Sequence, residues 1–105
     1  LAQRCRSRGT RTAEFTKQAP TKFAPASLRD PRSPADCFTQ ESAWLFMAEQ
    51  IDAGIEIEII DLDFPIGKKG YVMRVPGCPP VKRIYIKLQL LSKHVLCRSF
   101  HESDR

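Results

Sequence analysis

The stretch Arg83-Ile84-Tyr85-Ile86-Lys87-Leu88-Gln89-Leu90-Leu91 alternates aliphatic and polar or aromatic residues with a period of two, and it constrains the fold more than any other segment. Successive side chains of a strand point to opposite faces, so Ile84, Ile86, Leu88 and Leu90 share one face and Tyr85, Lys87 and Gln89 share the other. A polar tip follows at Ser92, Lys93 and His94, and Val95 to His101 is again rich in β-branched, aliphatic and aromatic residues, which predicts a hairpin. With Ser92 to His94 as a three-residue loop, Leu91 pairs with Val95. Tyr85 then lies opposite His101 and Lys87 opposite Ser99, while Leu96 and Phe100 turn to the apolar face. A two-residue loop at Ser92-Lys93 would instead put His101 beside Ile84, and the hydrophobic pattern favours the first register.

Upstream, Ile55-Glu56-Ile57-Glu58-Ile59 also alternates, predicting a half-buried strand with Ile55, Ile57 and Ile59 on one side. Pro65, Gly67 and Gly70 interrupt the pattern, Tyr71 to Val75 resumes it, and Gly77, Pro79 and Pro80 break it again. Before these strands lies one helix. Ser33 or Asp36 can cap it, Pro34 suits its first turn, and Gly54 can supply a left-handed stop. Phe38, Leu45, Ala48 and Ile51 fall near helical spacing, with Trp44 and Met47 widening the stripe, while Gln40, Glu41, Glu49 and Asp52 can face water. The predicted class is α+β: one main helix packed on a small antiparallel meander sheet.

Residues 1–33 read differently. Arg4, Arg6, Arg8, Arg11, Lys17, Lys22, Arg29 and Arg32 are interspersed with Pro20, Pro25 and Pro31, and apolar residues are scattered. Such a segment buries too little apolar surface to offset its ordering entropy, so a disordered basic N-terminal arm is expected ahead of a domain at 34–105. The arm's arginine bias also resembles a transit peptide, a weaker alternative. The chain carries 17 Lys and Arg against 12 Asp and Glu, a net charge of +5, which favours a polyanion or an acidic protein as partner. Cys5, Cys37, Cys78 and Cys97 stand singly, without zinc-ligand spacing, so neither a metal nor another cofactor is expected and reduced thiols in a cytoplasm fit best. No apolar run reaches the roughly 18 residues of a membrane span, so no membrane partner is expected.

The polar side of the hairpin carries the candidate chemistry. Tyr85, Lys87 and His101 on one sheet face would supply what metal-independent RNA cleavage needs: a base for the 2′-hydroxyl, a cation for the phosphorane and an acid for the leaving oxygen. Lys68, Lys69, Arg74 and Arg98 are candidate phosphate contacts.

These same residues carry a family likeness. Arg83-Ile-Tyr-Ile-Lys-Leu-Gln-Leu-Leu, the short turn, and Val95-Leu-Cys-Arg-Ser-Phe-His-Glu resemble the final hairpin of the MqsR branch of the RelE-like mRNA-interferase toxins. Tyr85 stands at that family's catalytic tyrosine, and His101 replaces the usual lysine after Ser-Phe. The turn is one residue longer than the family's, and the segment from Ile55 to Pro80 is shorter. The resemblance implies a compact sheet with helices on one face and an endoribonuclease of a toxin–antitoxin pair, acting with or without the ribosome and neutralised by an antitoxin protein. In that reading Tyr85 and His101 share proton transfer, while Lys87, Arg74 and Lys68 steady phosphate charge. The competing expectation is a non-catalytic module that binds nucleic acid or an acidic protein through the basic arm and the sheet face. A third, suggested by the small core, is a structural subunit of a larger assembly.

Overall fold

The computed structural model describes residues 5–6, 11–13, 28–62, 67–91 and 94–103. In chain order the elements are β1 (Arg11–Ala13), β2 (Arg29–Asp30), β3 (Ser33–Cys37), α1 (Gln40–Asp52), β4 (Glu58–Asp61), β5 (Lys69–Pro76), β6 (Arg83–Leu91) and β7 (His94–Glu102). Five strands form one sheet in the order β1-β7-β6-β5-β4, antiparallel except that β1 runs parallel to β7, and β2 pairs with β3 as a separate ribbon. An α+β meander carrying one main helix is thus the observed class.

Helix α1 starts later than the sequence suggests. Thr39 caps it: its Oγ1 accepts from the Ser42 N–H at 3.0 Å, and the Thr39 N–H donates back to Ser42 Oγ at 2.8 Å. Two orphan donors of the first turn are thereby satisfied. Ser33, Pro34 and Asp36, expected at the helix start, lie instead in β3. There the ladder to β2, and a hydrogen bond from the Phe38 N–H to the Leu28 carbonyl at 2.9 Å, deliver Phe38 into the core before the helix begins. Gly54 does end the helix, with φ +84°. Its N–H donates to Ile51 O and the Ile55 N–H to Gln50 O, each at 3.1 Å, closing the last turn with the pair of bonds a left-handed glycine permits.

The inward stripe of α1 is Ala43, Trp44, Phe46, Met47 and Ala48. Leu45, expected inside, is 40% exposed because it sits one residue, roughly 100°, off the row through Trp44, Met47, Ala48 and Ile51. The stripe packs with Met73, Val75, Ile84, Ile86, Leu88, Val95, Cys97 and Phe100 in one core, and each large aliphatic or aromatic side chain so buried contributes about 1.5–3 kcal/mol.

Strand β4 also begins later than expected, at Glu58. Ile55 and Ile57 pack against the core as foreseen, but Ile59 is 63% exposed. It keeps the same side of the chain, opposite Tyr71, yet lies on the outermost strand of the sheet, beyond the area α1 covers.

Part of the basic arm belongs to the folded body. Leu28 and Cys5 are buried in the core, and β1 pairs with β7. Arg32 donates to Asp30 at 2.8 Å and to the Ser42 carbonyl at 2.9 Å, pairs with Glu49 at 3.2 Å, and lies over the Phe46 ring at 5.5 Å. Burial pushes the Asp30 carboxyl up, but hydrogen bonds from the Arg32 side chain and N–H, with its charge, outweigh that and hold it below the usual range. A boundary at residue 34 is therefore too late, because an apolar Leu28 and a multiply bonded Arg32 offset their own ordering entropy. The rest of the arm, 1–4, 7–10 and 14–27, lies outside the described residues, as does the disorder expected there.

The β5–β6 connection folds back tightly. The Gly77 N–H donates to Lys82 O and the Val81 N–H to Cys78 O, both at 3.0 Å, and the Pro79–Pro80 peptide is cis. A Cβ on Gly77 would fall 2.8 Å from Val81 Cγ1 and 2.9 Å from the Val81 carbonyl oxygen. Backbone cannot swing aside as a side chain tip can. Gly77→Ala is expected to cost about 1–3 kcal/mol in urea unfolding, the usual range for overpacking. An unchanged midpoint would show that the turn has room.

Candidate active site on the second sheet face

The last hairpin reaches the expected pairing by a different route. Leu91 lies opposite His94, so strand pairing continues closer to the tip than a three-residue loop allows. Leu88 then pairs with Cys97 but Lys87 with Ser99, which leaves Arg98 as an extra residue, a β-bulge. The bulge restores the register that the shorter connection would have shifted: Tyr85 is opposite His101, Lys87 opposite Ser99, and Ile86 opposite Phe100. Only residues on the tip side of the bulge change face. Phe100 is in the core as expected, whereas Leu96 lies opposite Gln89, on the polar side.

Strand β5 completes the site from the other flank. Arg74 pairs with Tyr85, so Arg74, Tyr85 and His101 form one row across β5, β6 and β7, with backbones about 4.8 Å apart. The Tyr85 and His101 rings stack with centroids 5.3 Å apart and planes 28° from parallel. The Arg74 guanidinium carbon lies 5.2 Å from the centre of the Tyr85 ring, and its Nη1 is 3.4 Å from Glu58 Oε2. A neighbouring row holds Val72, Lys87 and Ser99, placing the Lys87 backbone about 7 Å along the strand from Tyr85.

The protonation chemistry assigns different parts to the two rings. Partial burial raises the Tyr85 phenol above its ordinary value, with Arg74 lowering it and Glu58 raising it further. The phenol therefore stays protonated at neutral pH and is a donor. His101 Nδ1 lies 2.8 Å from the Glu102 carbonyl oxygen, which can only accept, so Nδ1 carries the hydrogen. In the neutral ring Nε2 is then left as an acceptor, the state required of a base.

The other expected phosphate ligands divide. Arg98 donates to Gln89 Oε1 at 3.1 Å, toward the Tyr85 side but beyond Lys87 along the sheet. Lys69 is ion-paired with Asp61 and shares the parity of Tyr71 and Met73, which is that of the core-facing side, so it is not gathered into the row. Lys68 is exposed and stands six residues before Arg74, about 20 Å in extended chain. It is not brought to Tyr85.

One neighbourhood escaped the sequence reading. A cleft of about 480 Å³ adjoins Arg74, lined among others by Ile55, Glu56, Glu58, Lys82 and Arg83. The alternation of Glu56 and Glu58 did place both on the polar side of their strand, but nothing local said that this side continues into the Tyr85 face.

Comparison with family models, curated proteins and solved structures finds no match to this chain. Among the described residues, no helix is long and apolar enough to cross a membrane.

Proposed function

We propose that the Arg74–Tyr85–His101 face binds and cleaves RNA, and that the chain acts as a RelE-like, MqsR-like mRNA interferase restrained in the cell by an antitoxin protein. The observation that carries this reading is the stacked phenol–imidazole pair with a guanidinium on its other side, three functional groups from three strands in one row. His101 Nε2 takes the proton of the ribose 2′-hydroxyl, whose oxygen attacks phosphorus. Tyr85 gives its proton to the departing 5′-oxygen, leaving a 2′,3′-cyclic phosphate and a 5′-hydroxyl. Arg74 and Lys87 stabilise the extra negative charge of the phosphorane. The departure from the family's lysine at position 101 is chemically permissible, since imidazole serves in either direction of proton transfer.

The alternative, binding driven by the arm, loses some of its material. Arg32 pairs with Asp30 and Glu49 and donates to the Ser42 carbonyl, so this arginine is committed within the fold, whereas the Arg6–Asp52 pair lies exposed. The deciding experiment incubates the purified full chain with defined RNA in EDTA, free and on translating ribosomes. Products ending in cyclic phosphate are expected. Retention of RNA without any cut would replace the nuclease reading by the binding module, and neither binding nor cutting would end both.

A further inference from the structure

Resting on the nuclease reading, we propose that the cleft beside Arg74 is the base site of the nucleotide that supplies the attacking 2′-hydroxyl, and that Glu56 selects guanine there. The cleft meets the catalytic row at Arg74, which belongs to both. From a 3′-phosphate held against Arg74 and Tyr85, the cleft on the β4 side is within reach of the base of the same nucleoside. Its volume, about 480 Å³, falls within the range of small-ligand sites.

The lining has an unusual balance for a surface that receives a polyanion. Lys82 and Arg83 suit phosphate, but Glu56 and Glu58 repel it. Glu58 is compensated by Arg74. Glu56 makes no ion pair among the described residues and is exposed to the cleft. A carboxylate that accepts only is matched by a base edge presenting adjacent N–H donors. Guanine alone offers two side by side, N1–H and the N2 amino group; adenine and cytosine place a ring acceptor next to their amino group, and uracil has one N–H between two carbonyls. Single-stranded RNA exposes this edge for reading. Ile55 and Pro76 add apolar surface against which the base can lie.

The test measures binding of guanosine, adenosine, cytidine and uridine 3′-monophosphates to the full chain by calorimetry, apart from any cleavage. Guanosine 3′-monophosphate is expected to bind at least about tenfold more tightly than the other three, in line with one bidentate base contact. Glu56→Gln should reduce that preference to about threefold or less while leaving urea unfolding unchanged. Equal binding of all four, or a guanine preference that survives Glu56→Gln, overturns the assignment. Guanine preference without RNA cleavage would sink the nuclease reading and leave the base site standing. Cleavage without guanine preference would do the reverse.

Discussion

RNA cleavage by the Tyr85→Phe protein is expected to fall by about 10²–10⁴-fold, the usual contribution of a positioned acid or base, with folding unaffected. The substitution keeps the ring, and with it the stack on His101 and the contact with Arg74, and removes only the hydroxyl. A loss of rate therefore reports proton donation and not packing. His101→Ala should cost a similar factor by removing the Nε2 acceptor. Tyr85→Phe should leave stability within about 0.5 kcal/mol, whereas His101→Ala also gives up the ring stack and is expected to cost about 0.5–1.5 kcal/mol in urea unfolding. The pH profile separates the two roles. Because burial lifts the Tyr85 phenol above its ordinary value near 10, the acid stays loaded throughout the neutral range, and the activity that depends on it is lost only as pH rises through that higher value. Cleavage at the wild-type rate by either variant would remove that residue from the mechanism.

Phe100→Ala is expected to destabilise the fold by about 3–5 kcal/mol, against a total of about 5–15 kcal/mol for a domain of ordinary stability. Phe100 is fully buried and meets Phe38 edge-on at 5.2 Å, and Phe38 in turn packs on Phe46 at 5.1 Å. These three rings join the last strand to the segment entering α1 and to the helix itself. Truncation leaves a cavity that close-packed neighbours fill only in part. Since Phe100 directly precedes His101 on β7 and points the opposite way, its loss also loosens the strand that holds the imidazole. Chemical denaturation followed by circular dichroism measures the change, and a value under about 1 kcal/mol would mean that the core repacks around the gap.

Local pattern accounts for much of this molecule. The period of two in Arg83 to Leu91 put Ile84, Ile86 and Leu88 inside and Tyr85 and Lys87 on the other face, and the helix stripe through Trp44, Met47, Ala48 and Ile51 faces the core. The pairing of Tyr85 with His101 was legible too, though for a reason that did not hold. The bulge at Arg98 compensates for the closer pairing at the hairpin tip, and one extra residue in a ladder leaves no periodic trace in so short a strand.

Within an unbroken strand or helix the alternation or stripe can be read from the chain alone, because it follows from backbone geometry over a few residues; it misleads where a bulge or a shifted element start intervenes, as at Leu96 and Ser33. Which faces meet depends on contacts between segments far apart in the chain. Strand pairing across Asp61 to Gly70 and across Gly77 to Lys82 is set by hydrogen-bond ladders and a shared core, so Arg74 came to Tyr85 while Lys68 and Lys69 did not. Leu28 and Arg32 make the same point, since their contacts with the core and with α1 draw part of an otherwise polar arm into the fold.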